Sequence, residues 1–302
     1  MFSIITPTYN RAHTLDRVYN SLCKQTDKSF HWVIVDDASS DNTEEVVNRY
    51  IGQTNDFKIE YHKRPVNQGK PAALNYGFDF CTEPITIIAD SDDSFASNTI
   101  SDLKEIWNRI NLMKNGSKIA TVWTHVEDEN HNIVGEYFPY DFWQTNLRDR
   151  LLKKNLPVKG EKWHSWRTEV LRKYNMYSNE HCHVGESATW HRINLEYDFL
   201  HLNIIHRMYY YSEDGLIVKK KSKLKSAMAK YFTAYYHLKF AKPYHIIRHD
   251  YYHEHAIEYF KSKLFFKFQK KAPFSILKET ICFILFLYNI PKFLVGKRWK
   301  RS

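Results

Sequence analysis

Along the N-terminal part of the chain, short apolar runs alternate with stretches whose apolar residues recur at helical spacing. Phe2 to Thr6 reads as a strand, Thr14 to Gln25 as an amphipathic helix, and Trp32 to Val35 as a second strand ending on Asp36-Asp37. Asp41, with Glu44 three residues on, reads as a capped helix start, and Lys58 to His62 as the next strand. Lys70 to Cys81 reads as a helix and Ile85 to Ile88 as a strand buried on both faces, running into Ala89-Asp90-Ser91-Asp92-Asp93. Strands alternating with helices predict an α/β fold with a mostly parallel sheet. In such sheets ligands bind at the carboxyl ends of the strands, where both acidic clusters fall. Beyond Gly215 the period is helical, with Leu224 to Phe240 and Tyr244 to Phe268 both long and rich in Tyr, Phe and His. The apolar run from Ile281 to Tyr288, inside a last stretch from Phe274 to Leu294, is shorter than the roughly 20 residues a membrane span needs.

Composition narrows the class. The chain has 302 residues, 43% of them hydrophobic, with only 9 Gly and 9 Pro, which excludes disordered and collagen-like chains. An aromatic share of 16% points to a surface that meets something amphipathic. Cys23, Cys81, Cys182 and Cys282 lie far apart without a C-x-x-C pair, so neither a zinc ribbon nor a disulfide framework is expected, and a reducing compartment is. The opening MFSIITPTYNR has too short an apolar stretch for a signal peptide, so export is not expected. The net charge of +10 hides an asymmetry: residues 1–215 carry 24 Lys+Arg against 30 Asp+Glu, while 216–302 carry 20 against 4. Two parts are therefore expected, 1–215 and 216–302, with the basic part facing an anionic partner.

Candidate chemistry sits in three apolar runs, each followed by a polar loop: Ser3-Ile-Ile-Thr-Pro-Thr-Tyr-Asn-Arg11, Val35-Asp-Asp-Ala-Ser-Ser-Asp-Asn-Thr43 and Ala89-Asp-Ser-Asp-Asp-Ser94. Together, in this order and spacing, they resemble the family 2 glycosyltransferases of the GT-A fold over roughly residues 1–215. The resemblance implies a Rossmann-like sheet flanked by helices, a nucleotide-sugar donor, a divalent metal and inversion at the anomeric carbon. It assigns Asp37 to the N3–H of a uracil ring, places Thr6, Pro7 and Tyr9 around the base, and leaves Asp36 to brace the loop. On its own, Asp36-Asp37 reads first as a turn before a helix cap at Asp41.

Asp90-Ser91-Asp92-Asp93 resembles the family's D-x-D element. Mn²⁺ or Mg²⁺ is typically held through one or two carboxylates plus substrate phosphates, so Asp92 near ribose or metal, or Asp93 as the alternative ligand, would suffice. Three carboxylates within so short a loop repel one another unless a cation or donors are supplied. Asn67-Gln-Gly-Lys-Pro-Ala-Ala-Leu-Asn75 matches the family segment between the acidic clusters, which makes Lys70 and Asn75 donor contacts. Val184-Gly-Glu-Ser-Ala-Thr-Trp-His-Arg192 resembles the segment carrying the catalytic base, here Glu186; many members have Glu-Asp where this chain has Glu186-Ser187. The alternative for Glu186 is a first-turn helix carboxylate. Trp163, His164 and Arg167 are candidate acceptor contacts, with structural packing as the alternative, and Tyr211 to Leu216 resembles the end of the catalytic domain. His181-Cys182-His183 lacks the further ligands a zinc site needs, and His245, His249 and His253, spaced four apart, read as a packing face on one helix.

The basic, aromatic-rich helical extension suits an anionic membrane surface, with a homodimer as the alternative use of its aromatics. Nucleic acid is not expected as a partner, because the Ile281 to Tyr288 run has no use on a phosphate backbone. The expected function is a metal-dependent inverting hexosyltransferase acting on a glycan or lipid-linked glycan in capsule, lipopolysaccharide or related synthesis, peripheral at the cytoplasmic membrane face. Transfer to a polyprenyl phosphate, or nucleotide and sugar binding without turnover, are the competing expectations.

Overall fold

The computed structural model describes residues 1–153, 158–179, 182, 184–211, 222–265 and 274–299, and of 265 and 290–299 the backbone alone. The first elements are β1 (Phe2–Thr8), α1 (Leu15–Cys23), β2 (Phe30–Asp36), α2 (Thr43–Gln53), β3 (Lys58–Lys63), α3 (Lys70–Gly77) and β4 (Ile85–Ile88). Then follow β5 (Ser94–Phe95), α4 (Thr99–Leu112), β6 (Ile119–Glu127), β7 (Phe142–Thr145), β8 (Lys162–Arg167), α5 (Thr168–Lys173), α6 (Ser187–Asn194) and β9 (Asp198–Met208). The C-terminal helices are α7 (Lys223–Lys239), α8 (Pro243–Arg248), α9 (Asp250–Phe265) and α10 (Ile276–Trp299).

The strands form one sheet in the order β3-β2-β1-β4-β8-β6-β9-β5, with β7 also paired to β9. The β3-β2-β1-β4 half is parallel; β8 runs antiparallel to both β4 and β6, whereas β6 and β9 are parallel. Every residue of β1 and β2 is buried because helices cover both sheet faces, which is why these strands read as unbroken apolar runs. Alternate side chains feed two cores. Ile4, Trp32, Ile34 and Ile87 pack with α1, α2 and α4 on one side; Ile5, Val33, Val35 and Ile88 pack with α3, α5 and α6 on the other. A third core, containing Tyr231, Leu238, Tyr252, Tyr259 and Cys282, joins α7, α9 and α10.

Three local expectations are corrected. The α3 helix stops at Gly77 rather than Cys81, since the amides of Phe80 and Cys81 turn back to Gly77 O and Phe78 O. Gly77 is where α3 touches the sheet: a Cβ there would lie 2.5 Å from Ile5 Cδ1 and 2.6 Å from Val35 Cγ2. The N-cap of α2 is Asn42, and Asp41 with Glu44 forms no reciprocal cap. Asp41 instead accepts from Thr43 Oγ1 (2.6 Å) and Ala12 N (3.2 Å), and Glu44 pairs with Lys63 (2.8 Å). The segment from Tyr244 on is two helices, because His249 is extended (φ −119, ψ 122) and Asp250 starts α9 as its first-turn acid. His245, His249 and His253 therefore do not share one helix face. No helix among the described residues is long and apolar enough to cross a membrane. The boundary at Gly215 lies outside the described residues.

Candidate functional site

The carboxyl edge of the parallel strands is stitched by its own polar loops. Asp36 is buried and braces the turn, accepting from Ser39 N (2.7 Å) and from the Tyr61 hydroxyl. Asn10 ties the loop after β1 to the loop after β2 through Ser39 Oγ (2.8 Å) and Ser40 N (2.8 Å). Asp37 is also buried; its carboxylate accepts from Gly69 N (2.6 Å), Gln68 N (3.1 Å) and the Arg64 guanidinium. It thereby anchors the glycine turn that opens α3, where Gly69 holds φ +87, a conformation that favours glycine. That anchoring is what brings Lys70 to the edge of β4.

Lys70 is the hub of the site. Its ammonium lies 2.6 Å from Asp90 Oδ1, at the end of β4, and 2.8 Å from Glu186 Oε1, at the start of α6. Burial opposes the charge on Lys70, but Asp90 and Glu186 together raise its pKa above the ordinary lysine value. Burial likewise works against the Asp90 carboxylate, yet Lys70 and Arg207 hold it down to about 2. Glu186 occupies the N-cap position of α6 without capping it, so its side chain is directed to Lys70 rather than to the helix amides.

The acidic loop splits into two roles. Asp93 turns inward, buried, with Oδ2 2.7 Å from Arg207 Nε of β9. The charges touch without a well-aligned hydrogen bond. Burial, with Asp90 and Asp92 adding repulsion against the pull of Arg207, pushes the Asp93 carboxyl up to about 8. Asp93, expected as the alternative metal ligand, is placed here against Arg207 inside the fold. Asp92 stays partly open; burial and then Asp90 raise its pKa, against the pull of Arg11, Arg207 and Lys70. No cluster of three or more metal-ligating side chains occurs among the described residues. A single open carboxylate fits a cation that takes its other ligands from a diphosphate and water.

Most of the other expected contacts are engaged within the fold. Thr6 is fully buried and its hydroxyl accepts from Trp32 Nε1 (2.8 Å), Pro7 is buried in β1, and only Tyr9 is open, at 46% exposure. Asn75 spends both ends of its amide on Met176, donating to its carbonyl (2.9 Å) and accepting from its N–H (2.7 Å), so it staples α3 to the segment after α5. Trp163 is buried, donating to Ile88 O (3.0 Å) and packing on Phe95. Arg167 lies at the opposite end of the sheet, paired in register with Ile85, where it donates to Ile119 O (2.8 Å) and Gly116 O (3.0 Å). His164 alone of that group flanks the site: burial lowers its pKa to about 4, and Glu186, Lys70, Arg207 and Asp90 all act on it. Its Nδ1 accepts from Trp166 Nε1 (2.7 Å), which places the proton of the neutral ring on Nε2.

Sequence reasoning missed Arg64, Arg207 and a grip supplied by the C-terminal helices. Thr233 Oγ1 of α7 accepts from Gly185 N (3.3 Å), and His237, one turn on, meets Ser187 Oγ (3.2 Å), so α7 holds the residues on both sides of Glu186. Behind them His191, His237 and His255 share a buried interface with Tyr251, Tyr252 and Arg150. Only spatial proximity reveals such partners; nothing in their local sequence marks them. His181, His183 and the Ser212 to Leu216 part of the Tyr211 segment lie outside the described residues.

A mostly parallel sheet flanked by helices, with polar loops at its carboxyl edge, is the fold of GT-A glycosyltransferases. The structure superposes on *Staphylococcus aureus* TarS (residues 1–349) bound to UDP with a TM-score of 0.58 at 18% identity, covering 88% of this chain and 72% of that one. It matches a *Pyrobaculum calidifontis* mannosyltransferase in complex with GDP-Man and Mn²⁺ with a TM-score of 0.57 at 17% identity, over 87% and 73%. The sequence model of Glycosyl transferase family 2 matches residues 3–175, and the chain belongs to that family. An uncharacterized glycosyltransferase of *Methanocaldococcus jannaschii* is 27% identical over 52% of this chain and 53% of its own length. A *Campylobacter jejuni* GalNAc(5)-diNAcBac-PP-undecaprenol beta-1,3-glucosyltransferase is 32% identical over 34% of this chain and 33% of its own length. The matches span a third to about half of these curated relatives.

Proposed function

We propose that the chain is an inverting, metal-dependent glycosyltransferase that moves a hexose from a nucleotide-sugar, a UDP-sugar first, to a hydroxyl of a glycan or lipid-linked glycan in surface polysaccharide synthesis at the cytoplasmic membrane face. One observation carries the reading: Lys70 joins Asp90, at the end of β4, to Glu186, at the start of α6. UDP bound to one structural neighbour and an undecaprenol-linked glycan in the name of one relative support the choice of donor and acceptor.

In this mechanism Asp37, already fixed at the end of β2, offers its carboxylate to the base, with Arg64 and the 68–69 amides as the groups it must share. Lys70 meets the diphosphate. Mn²⁺ or Mg²⁺, held by Asp92 and the donor phosphates, would supply positive charge against the leaving nucleotide. Glu186, released from Lys70 when the diphosphate takes that contact, accepts the proton of the acceptor hydroxyl as its oxygen forms the new bond to the anomeric carbon. The bond from that carbon to the phosphate oxygen breaks on the opposite face, and the electron pair leaves with the nucleoside diphosphate. General-base assistance of this kind contributes about 10²–10⁴-fold.

The test is nucleotide release from UDP-, GDP- and dTDP-sugars with Mn²⁺, Mg²⁺ or EDTA, comparing wild type with Asp92→Ala and Glu186→Gln. Metal-dependent release from one donor, lost in Asp92→Ala, is expected. Full transfer to a phosphate acceptor by Glu186→Gln would replace the hydroxyl reading. No release and no metal-dependent nucleotide binding would overturn the enzyme reading.

A further inference from the structure

The last helix carries an apolar stripe on its outer side. On α10, Ile276 is 87% exposed, Leu277 60%, Phe283 45%, Ile284 58%, Leu287 45% and Tyr288 74%, while Cys282 on the inner side is fully buried against α9. Their spacing, repeated at about one and two turns, places them along one side of the helix. The two charged residues between 276 and 289 both face inward. Lys278 donates to the last carbonyls of α7, Leu238 O and Lys239 O, each at 3.1 Å. Glu279 accepts from the Tyr259 hydroxyl (2.7 Å) and pairs with Lys263 (3.1 Å). The packing thus spends every charge of this stretch on holding α10 in place and leaves the outer side uncharged.

The surrounding chain is strongly basic. Residues 216–302 hold 20 Lys+Arg against 4 Asp+Glu, and Lys292, Lys297, Arg298, Lys300 and Arg301 follow the stripe directly in sequence. A nucleic acid would use the cations and waste the apolar stripe, whereas a second copy of the chain would bring like charge against like. An anionic lipid surface satisfies both: apolar side chains enter the headgroup boundary while Lys and Arg meet lipid phosphates.

We infer that α10 is a lipid-surface docking helix that lies in the plane of an anionic bilayer through Ile276, Leu277, Phe283, Ile284, Leu287 and Tyr288. The inference does not depend on the transfer reaction, because none of these residues belongs to the Lys70 cleft. It is tested by co-sedimentation of the full chain with vesicles of phosphatidylcholine alone or mixed with phosphatidylglycerol, at low and high salt. Wild type partitions onto the anionic vesicles at least tenfold more strongly than onto neutral ones, and salt weakens the difference. Ile284→Asp with Leu287→Asp lowers the partition at least tenfold, with the far-UV circular dichroism and urea midpoint of wild type. Equal partition of that variant, equal binding to both vesicle types, or a salt-stable dimer with no vesicle binding would overturn the inference. Nucleotide release measured on the same variant separates this outcome from failure of the proposed reaction.

Discussion

The buried histidines between α6, α7 and α9 make stability depend on pH near neutrality. His191 and His237 are buried and His255 is partly so; burial lowers their values to about 3 for His191, well below ordinary for His237, and to about 4 for His255. No carboxylate shifts them; the neighbours that act are Arg150 and one another, which disfavour a further positive charge. Each folded value lies below the unfolded value of 6.5, so this stability is complete above 6.5 and is lost as pH falls from there toward the folded values. Between about pH 7.5 and about pH 5.5, one such histidine costs about 1.4 kcal/mol, and that figure is set by the unfolded value, so it does not depend on how far below the folded value lies. The three together cost about 4 kcal/mol at most, a large share of the roughly 5–15 kcal/mol that holds a typical domain. The assay is urea unfolding at the two pH values, with wild type beside His255→Phe, which keeps a ring against His237 at the 4.0 Å stacking position and removes one titrating group. The expected result is a wild-type loss of several kcal/mol and a smaller loss, by up to about 1.4 kcal/mol, in the variant. A wild-type midpoint that does not move between the two pH values would refute the reasoning, as would an unchanged loss in His255→Phe.

Gly77→Ala drives a methyl into Ile5 and Val35 and is expected to cost about 1–3 kcal/mol, read as a lowered thermal midpoint with unchanged fold. Arg207→Met removes the cation beside Asp90 and Asp93 and is expected to push the Asp93 carboxyl up further and lower the thermal midpoint, an effect that shrinks when Asp93→Asn is added, which calorimetry of the single and double variants measures. Thr233→Val removes the bond to Gly185 N and is expected to lower kcat about tenfold with little change in KM for the donor, by analogy with misplacement of a catalytic group; equal loss in both would mean a general packing defect instead.

The parallel half of the sheet was legible because β1, β2 and β4 are buried on both faces and their apolar runs are unbroken. The rest was not, and β9 shows why. His201, Asn203, His206 and Arg207 interrupt its pattern, yet they face partners far away in sequence, such as His125 for Asn203 and Asp93 for Arg207. At the site, the segments carrying Asp37, Lys70 and Glu186 meet at the strand ends, since loops there go where the strands send them. Side-chain direction escaped the same reasoning. Asn75 and Thr6 occupy matching positions, but Met176 and Trp32 claim their polar atoms, and neither partner is near in sequence. Arg167 shares a strand with His164 and reaches the opposite sheet edge, because β8 runs antiparallel to β4.

The Lys70 bridge has a consequence for the sequence of events in turnover. While one ammonium joins Asp90 and Glu186, the cleft is neutralised by its own side chains and Glu186 is withheld from any hydroxyl that arrives. In the proposed reaction a diphosphate would compete for that ammonium, so the donor would unlock the base before the acceptor is activated. The reaction so proposed would then follow a compulsory order, donor first and nucleotide last. In initial-rate kinetics the nucleoside diphosphate would then compete with the donor and not with the acceptor; competition with both would mean that the latch opens without it.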